Sequence, residues 1–325
     1  NTVESATTPT VNITDGLHVT GVSTVTGGIN VGTAATIHAN GNVTCGIITT
    51  THIVNSTKLS HRNLVINGAM QIAQRATSST TTGLQTVDRF AVYHSTNDTV
   101  TQAQVDVSTS DLPYTQAGLT KALKVTNGNQ SSAGAAEYVE ISYKPEAQDI
   151  KNSGWVHTSS SSKLTLSFWA RSSVGQTFTA WFTNRDGTRH NFVFTYALAA
   201  NTWTKITKTM PGNSNLTINN DNGAALELWM QMFYGTNYSQ ASPPGNNTGD
   251  WVAHDSETVL DNTTTWYLTN GATFELTGVQ LEVGSVATPF EHRTPAEEYV
   301  RCCRYYQEPI NYTKGYLPIL PGRGT

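Results

Sequence analysis

One stretch of the chain gathers side chains that could recognise or cleave a carbohydrate. The segment 233–266 is dominated by turn-forming residues and is longer than a routine connection between strands. Aromatic rings can stack on pyranose rings, and a few fixed polar groups can bind the hydroxyls. The segment supplies six candidate glycan-binding residues, namely Tyr234, Tyr238, Trp251, His254, Asp255 and Trp266.

Packing is the alternative role for these aromatic residues, because large rings are commonly buried. Trp251 and Trp266 would then pin the long segment to the core or to a neighbouring subunit. The same choice applies to Trp169, Trp181 and Trp229, which alternate with apolar positions on their strands. They form either an exposed platform or a second buried surface, beneath loops or at a subunit interface.

Acidic residues in the same segment raise the question of catalysis. Asp250, Asp255, Glu257 and Asp261 could supply the two carboxyl groups that a glycosidase needs. However, the sequence carries none of the common signatures of metalloproteases, α/β-hydrolases or phosphate-binding loops. We therefore expect no enzymatic activity, no catalytic residues, no metal site and no cofactor, and keep glycan cleavage as an alternative.

Composition excludes several classes of partner. Charged residues make up 13% of the chain, against about 25% in average proteins. The net charge is −4 and the basic residues are scattered, so we expect no nucleic-acid partner. No apolar window is long enough for a membrane helix, so membrane insertion is not expected. The three cysteines are too few for a disulfide framework, which suits assembly in a reducing cytoplasm.

Residues 1–60 cannot close a globular core by themselves. They contain no aromatic residue and only three charged ones, and the segment 15–26 is echoed by 40–51. Small apolar residues alternate with Thr and Ser, which predicts short strands with one thin apolar face. Three chains around a common axis would bury that face and remove the exposed strand edges. We therefore predict a Thr- and Gly-rich homotrimeric β-stalk, and the alternative is a disordered linker. Its predicted core residues are Val19, Val22, Val25, Val43 and Ile47.

Residues 61–293 are predicted to form an all-β globular head. Strand patterns recur between Asn-Gly and Asp-Gly pairs, which tolerate the backbone of tight hairpin turns. This pattern predicts an antiparallel jelly-roll sandwich. In the run 274–283 the apolar parity changes at Gly278, which predicts a β-bulge. Three core faces follow from alternation: Leu164, Leu166 and Phe168; Phe178, Ala180 and Phe182; and Leu226, Leu228, Met230 and Met232.

Residues 294–325 contain the one convincing helix. Thr294-Pro295-Ala296-Glu297 combines a capping residue, a Pro at the first helical position and a Glu three residues after the cap. The helix should run to about Tyr306 or Gln307, since Pro309 forbids continuation. Only a Pro- and Tyr-containing tail follows, which leaves open a distal module beyond Thr325.

Three stretches together resemble a known family. They are Asn63-Leu-Val-Ile-Asn-Gly-Ala-Met-Gln-Ile-Ala-Gln-Arg, Val87-Asp-Arg-Phe, and the run 276–293 with Arg304-Tyr-Tyr-Gln after it. Over residues 60–307 the chain resembles tail-fibre and other virion fibre proteins of marine phages, especially cyanophages. The strand Leu166-Ser-Phe-Trp-Ala also resembles carbohydrate-binding modules of the jelly-roll class.

The resemblance implies a structural tail-fibre protein of the phage virion, assembled in the host cytoplasm. Its expected partners are other copies of itself, other phage tail or virion proteins, and host cell-surface polysaccharide or lipopolysaccharide. Two alternatives remain: a fibre or spacer that decorates the capsid or tail without binding a receptor, and a glycan depolymerase.

Overall fold

The chain divides into two units, 1–54 and 55–325. The computed structural model describes residues 29–31, 35–37, 43–45, 61–257, 259–261 and 265–307. In the first unit, the short strands β1 (Ile29–Val31), β2 (Ala35–Ile37) and β3 (Val43–Cys45) form an antiparallel sheet in that order. Val43 lies in β3, whereas Val19, Val22, Val25 and Ile47 lie outside the described residues. The trimeric stalk stays a prediction.

The second unit is built mainly from strands. The strands are β4 (Ser78–Ser79), β5 (Phe90–Ser95), β6 (Thr101–Asp106), β7 (Lys121–Thr126), β8 (Tyr138–Tyr143), β9 (Lys163–Ser172), β10 (Gln176–Asn184), β11 (His190–Leu198), β12 (Thr204–Pro211), β13 (Leu226–Tyr234), β14 (Ser239–Gln240), β15 (Val252–Ala253), β16 (Val259–Leu260) and β17 (Thr273–Val283). The helices are α1 (Leu112–Ala117), α2 (Ala147–Lys151) and α3 (Pro295–Cys303).

Two six-stranded antiparallel sheets face each other across the core. The front sheet has the order β15-β11-β10-β13-β8-β5, and the back sheet has the order β12-β9-β17-β7-β6-β4. The short strands β14 and β16 pair with each other in parallel. This arrangement confirms the predicted antiparallel jelly-roll sandwich.

Alternation along the strands decides which side chains enter the core. All three predicted core faces are buried in one cluster between the sheets. On β13 the pairing shifts register between Gln231 and Phe233, so that both Met232 and Phe233 are buried. The predicted bulge on β17 is confirmed: pairing with β9 shifts between Thr277 and Gln280, and Gly278 has a φ of +62°.

The tryptophans on the opposite parity lie on second, smaller buried surfaces. Trp169 packs with Trp203 on the outer side of the back sheet, and both are about 5% exposed. Trp181 packs with Val259 on the outer side of the front sheet, and Trp229 lies half-buried against them. Of the two interpretations left open by the sequence, burial therefore holds for Trp169 and Trp181.

The observed start of α3 agrees with the helix predicted from the sequence. The end of α3 and the two other helices differ from the prediction. The Thr294 hydroxyl accepts a hydrogen bond from the Glu297 amide, as the capping pattern predicts. The helix ends at Cys303, earlier than predicted, and a turn follows. The short helices α1 and α2 were not predicted, because each has fewer than seven residues and no side-chain cap. No helix among the described residues is long and apolar enough to cross a bilayer.

The stretches that carry the family resemblance meet in one hydrogen-bonded network. Asn63 donates from Nδ2 to the Val279 carbonyl and accepts at Oδ1 from the Leu281 amide, both at 3.1 Å. The Arg293 guanidinium donates to the Asn63 carbonyl and lies 3.4 Å from the Glu298 carboxylate. We call Asn63, Arg293 and Glu298 the terminal clasp, because they fasten the segment before β4 and the helix α3 to β17.

The Val87–Phe90 stretch joins the same network. Asn67 donates from Nδ2 to the Asp88 carbonyl at 2.9 Å, and Gln74 donates to the Asp88 carboxylate. The Arg89 guanidinium lies over the Tyr305 ring, 3.4 Å from its centroid. These residues therefore hold the domain together, and a structural role accounts for their chemistry.

Candidate functional site

The outer face of the front sheet carries polar and aromatic side chains in rows across the strands. Strand register sets these rows, since residues paired across antiparallel strands project on the same side. Trp229 is paired with Trp181 on β10 and with Ser142 on β8. In the next row Gln231 is paired with Thr179 and Glu140. Beyond it Tyr234 is paired with Tyr138, and Glu140 is paired with Tyr93 on β5.

Six aromatic side chains from these rows and from the turn after β13 form a continuous cluster. We call it the aromatic patch, and its members are Tyr93, Tyr138, Trp181, Trp229, Tyr234 and Tyr238. The Trp181 and Trp229 rings are stacked with centroids 6.0 Å apart, and Tyr93 lies 6.4 Å from Trp229. The three tyrosines at the other end meet edge to face at 5.5–6.1 Å. All members except Trp181 are partly exposed, so the patch offers ring surface to a ligand.

A depression of about 200 Å³ opens beside the tyrosines of the patch. It is lined by Tyr138, Glu140, Tyr234 and Tyr238. The Tyr234 hydroxyl donates a hydrogen bond to the Glu140 carboxyl group, which is only 5% exposed. Rings therefore surround a single buried acid at the floor of the depression.

Burial controls the protonation of that acid. Desolvation raises the pKa of Glu140 to about 8, and the charge of Glu227 adds to the rise. The hydrogen bond from Tyr234 and the charge of Lys144 act in the opposite direction without cancelling it. Glu140 is therefore mostly neutral at pH 7 and can donate a hydrogen bond as well as accept one.

The raised pKa of Glu140 predicts a pH-dependent stability. Because its folded-state pKa exceeds the ordinary 4.5, the folded protein holds a proton that the unfolded chain releases. The stabilising contribution is therefore complete below the ordinary pKa, declines as the pH rises, and is lost above the folded-state pKa. We expect Glu140→Gln to flatten the fall in the free energy of unfolding between about pH 5 and about pH 9. Urea denaturation across this range measures the effect, with Glu297→Gln as an exposed control that should leave the profile unchanged.

A second acid on this face is enclosed and neutralised by basic residues. Glu227 is fully buried at the start of β13, and its carboxylate accepts a hydrogen bond from Ser142 at 2.8 Å. Lys144 lies 3.0 Å from one carboxylate oxygen and Arg185 lies 3.2 Å from the other. The acid thus fixes two partly exposed cations at one end of the face, where the Lys144 ammonium lies next to Trp229.

Polar groups also form part of the floor between the rings. The Gln231 side chain is fully buried, and its Oε1 accepts a hydrogen bond from the Thr179 amide at 3.3 Å. The Nε2 of Gln231 and the Oγ1 of Thr179 have no hydrogen-bond partner among the described residues. Hydrogen-bonding capacity thus lies beneath the aromatic patch as well as at its rim.

Two of the predicted glycan-binding residues belong to this site. Tyr234 and Tyr238 line the depression, and their ring centroids are 5.5 Å apart. Both residues come from the beginning of the predicted long segment, where it leaves β13. The structure brings them together with Tyr138, which precedes them by roughly a hundred residues.

Trp251 and Trp266 do not belong to the site, because the core buries them. Trp266 is fully buried and donates from Nε1 to the Thr273 carbonyl at 3.1 Å. Trp251 is 5% exposed, lies 5.7 Å from the Phe192 ring and donates to the Pro211 carbonyl at 2.8 Å. Neither tryptophan presents a ring face to a ligand. The packing role that the sequence left open is therefore the one the structure gives them.

His254 and Asp255 directly follow β15 at the edge of the front sheet, and His254 lies near Arg185 and Arg189 rather than near the tyrosines. The His254 ring is within 3.1 Å of the Asn191 side-chain amide. The Asp255 carboxylate accepts a hydrogen bond from the Glu257 amide at 2.9 Å, which shapes a turn. Neither residue lines the depression beside the tyrosines.

The other acidic candidates have local structural contacts in the described residues. The Asp250 carboxylate accepts hydrogen bonds from Asn213 and from the Trp251 amide. Glu257 and Asp261 take part in the pairing of the segment with Gln240 through their backbones.

Sequence reasoning missed Tyr93, Tyr138 and Glu140. The signal was present in the run Tyr138-Val-Glu-Ile-Ser-Tyr, whose alternation places Tyr138 and Glu140 opposite the apolar positions. A buried Glu opposite an apolar face is unusual enough to mark a site. Its neighbours, however, come from β5 and β13, and no local pattern predicts that pairing.

Comparison with known proteins gives only distant similarities. No protein-family model and no curated protein sequence matches the chain. Among solved structures, the N-terminal cellulose-binding domain of β-1,4-glucanase C from Cellulomonas fimi is 12% identical. That match covers 67% of this chain and 99% of the other, with a TM-score of 0.32. A family 11 carbohydrate-binding module from Clostridium thermocellum, in complex with a β-1,3-1,4-mixed-linked tetrasaccharide, is 11% identical. It covers 65% of this chain and 98% of the other, with a TM-score of 0.30. These values are low, and such distant similarities carry no functional argument for this chain.

Proposed function

We propose that the outer face of the front sheet binds a glycan, and that the protein is a non-enzymatic, homotrimeric fibre component of a phage virion. In this role the sandwich contacts polysaccharide or lipopolysaccharide on the host surface. The fibre attaches to other tail or virion proteins, and the segment 1–60 forms its stalk.

The observation that carries glycan binding is the arrangement of rings around a buried acid. Tyr138, Tyr234 and Tyr238 surround Glu140, and Trp229 extends the ring surface along the same face. Rings supply stacking surface and the carboxyl group supplies directional hydrogen bonds, which is the combination a sugar needs. The rigid sheet holds these groups in place, so that little conformational freedom is lost on binding.

The chemistry of the two acids favours binding without cleavage. A glycosidase needs one protonated and one ionised carboxyl group on opposite sides of the scissile bond, both accessible to the substrate. Glu227 is fully buried and held by Ser142, Lys144 and Arg185. A carboxylate enclosed in this way is a poor nucleophile or base. Prolonged incubation with a bound polysaccharide should therefore release no shorter sugars.

The fibre role is supported by the family resemblance of residues 60–307 and by the composition of residues 1–60. A segment without aromatic residues needs partner chains to bury its apolar positions. Native mass measurement of the full chain is expected to give three copies. A strictly monomeric chain would remove the stalk from the proposal and would leave the glycan-binding face unaffected.

Removal of two tyrosine rings tests the glycan-binding face. The double variant Tyr138→Ala/Tyr238→Ala removes stacking surface from both sides of the depression. We expect affinity for the host polysaccharide to fall by roughly tenfold to a hundredfold, since ring contacts contribute about 0.5–1.5 kcal/mol each beyond the buried area. Calorimetric titration of the full chain with purified host polysaccharide measures this.

The matched control for that experiment is Tyr114→Ala. Tyr114 is 38% exposed on α1, outside the aromatic patch. Its removal should leave affinity unchanged. Equal affinities of the wild type and the double variant, with both proteins folded, would overturn the assignment of the site.

A further inference from the structure

We propose that the glycan recognised by this face is acidic, and that Lys144 and Arg185 bind its anionic group beside Trp229. This inference rests on the proposed glycan-binding function and names the substrate class. It differs from that function in a testable way, because the face could equally bind neutral sugars through its rings alone.

Lys144 and Arg185 flank the buried Glu227 at one end of the face. The Lys144 ammonium lies 6.0 Å from the centroid of the Trp229 ring and is 3.0 Å from Glu227. Arg185 approaches the same carboxylate from the hairpin between β10 and β11, at 3.2 Å. A sugar at Trp229 would therefore carry its substituents within reach of Lys144, and Arg185 is held on the other side of the same carboxylate.

Both cations also keep hydrogen-bond donors available to a ligand. The side chains of Lys144 and Arg185 are 41% and 31% exposed, whereas Glu227 is not exposed at all. The Glu227 Oε2 atom lies 3.2 Å from Arg185. Even so, it accepts no hydrogen bond from any described residue. An external carboxylate could accept charge-assisted hydrogen bonds from both side chains without displacing the buried acid.

The charges around Glu227 also favour an anionic ligand. Lys144 and Arg185 supply two cations beside the single carboxylate of Glu227, and the raised pKa of Glu140 keeps the acid at the other end of the face mostly neutral at pH 7. Asp186, in the same hairpin as Arg185, accepts two hydrogen bonds from Asn219, at 2.9 and 3.0 Å. The exposed Arg189 adds a further positive charge to that hairpin. Around Glu227 two cations therefore meet one carboxylate, whereas Asp186 lies in the neighbouring hairpin and Asp255 lies near His254.

This combination suits a uronic acid or another sugar that bears a carboxylate. The ring would stack on Trp229 and the carboxylate would lie between Lys144 and Arg185, where ionised partners make the stronger class of hydrogen bond. A neutral sugar would gain the stacking contact but would leave the two cations without a ligand partner.

The test compares acidic polysaccharides with their carboxyl-reduced counterparts, which have the same linkages without the charge. Alginate, polygalacturonate, hyaluronan and xanthan are titrated into the full chain in both forms, at low and at high salt. We expect at least one acidic form to bind about tenfold to a hundredfold more tightly than its reduced counterpart. The difference should shrink as salt is added.

Variants assign that difference to the cations. Lys144→Gln should weaken binding of the acidic form towards that of the reduced form, and Lys144→Arg should retain most of it. Thermal unfolding of each variant verifies that the fold is intact. We expect this because Glu227 remains paired with Arg185 and Ser142. Lys205→Gln is the control, because Lys205 is an exposed cation on β12 of the back sheet.

The outcomes separate the two proposals. Equal binding of both forms, or an acid preference unaffected by Lys144→Gln, would overturn the acidic-glycan inference and leave glycan binding in place. Failure of every polysaccharide to bind in either form would overturn both.

Discussion

Replacing Trp266 with alanine is expected to destabilise the sandwich by about 3–5 kcal/mol, the range found when a buried aromatic side chain is removed from a core. Trp266 is fully buried, its Nε1 donates to the Thr273 carbonyl at 3.1 Å, and its amide donates to Gln176 at 3.0 Å. The substitution removes the ring and its hydrogen bond and leaves a cavity beside the start of β17. For a domain of this size the midpoint of thermal unfolding should fall by roughly 10 °C.

The same experiment decides between the two roles that the sequence allowed for Trp266. The midpoint and the free energy of unfolding are measured by urea and thermal denaturation, and glycan affinity is measured at a temperature where the variant is folded. We expect lower stability with unchanged affinity. Leu268→Ala is the control, since Leu268 is two residues away and 44% exposed, and its removal should change stability by less than about 0.5 kcal/mol. A loss of glycan affinity with wild-type stability would instead show that Trp266 belongs to the binding site.

Replacing Arg293 with alanine is expected to cost about 3–5 kcal/mol, as when one partner of a buried ion pair is removed. The Arg293 side chain is 5% exposed and lies 3.5 Å from Glu291 and 3.4 Å from Glu298. It also donates to the carbonyls of Asn63 and Val65. Alanine would leave two poorly solvated carboxylates and two carbonyls without their common donor.

Arg293→Lys should recover only part of that loss, because an ammonium group cannot reproduce the planar set of guanidinium donors. Hydrogen exchange of the Val65 and Asn67 amides should show local opening of the terminal clasp before the sheets unfold. Arg301→Ala is the matched control: it breaks an exposed pair with Glu297 on α3 and should change stability by about 0.5 kcal/mol or less. Comparable effects of the two alanine variants would contradict a stabilising role of the clasp.

The clasp changes how the family-like stretches should be interpreted. Asn63, Asp88, Arg89 and Arg293 carry amide, carboxylate and guanidinium groups that could suggest a binding site. In the structure Asn63 and Arg293 bond each other and the backbone of β17 and its surroundings, Asp88 accepts from Asn67, and Arg89 packs on the Tyr305 ring. The fastening of this domain therefore accounts for these polar side chains, and their residue types give no information about a ligand.

Alternation within single strands made much of the fold predictable. The period of two placed Leu164, Leu166 and Phe168 on the core side of β9, and the change of parity at Gly278 located the bulge on β17. The Thr294-Pro295 pattern located the start of α3, because helix capping depends on adjacent residues. These features are local, so the residue types in a short window are enough to determine them.

The binding face depended on contacts between distant parts of the chain. Glu140 is an ordinary acidic residue in sequence, and its raised pKa exists only because β5 and β13 pair on either side of β8. In the same way, Trp251 and Trp266 belong to the same aromatic-rich segment as Tyr238. Only their burial in the structure shows that they are not part of the binding face. Local sequence determined which side chains share a face of each strand. The tertiary structure decided which faces meet, because strand order and burial follow from pairings between residues far apart in the chain.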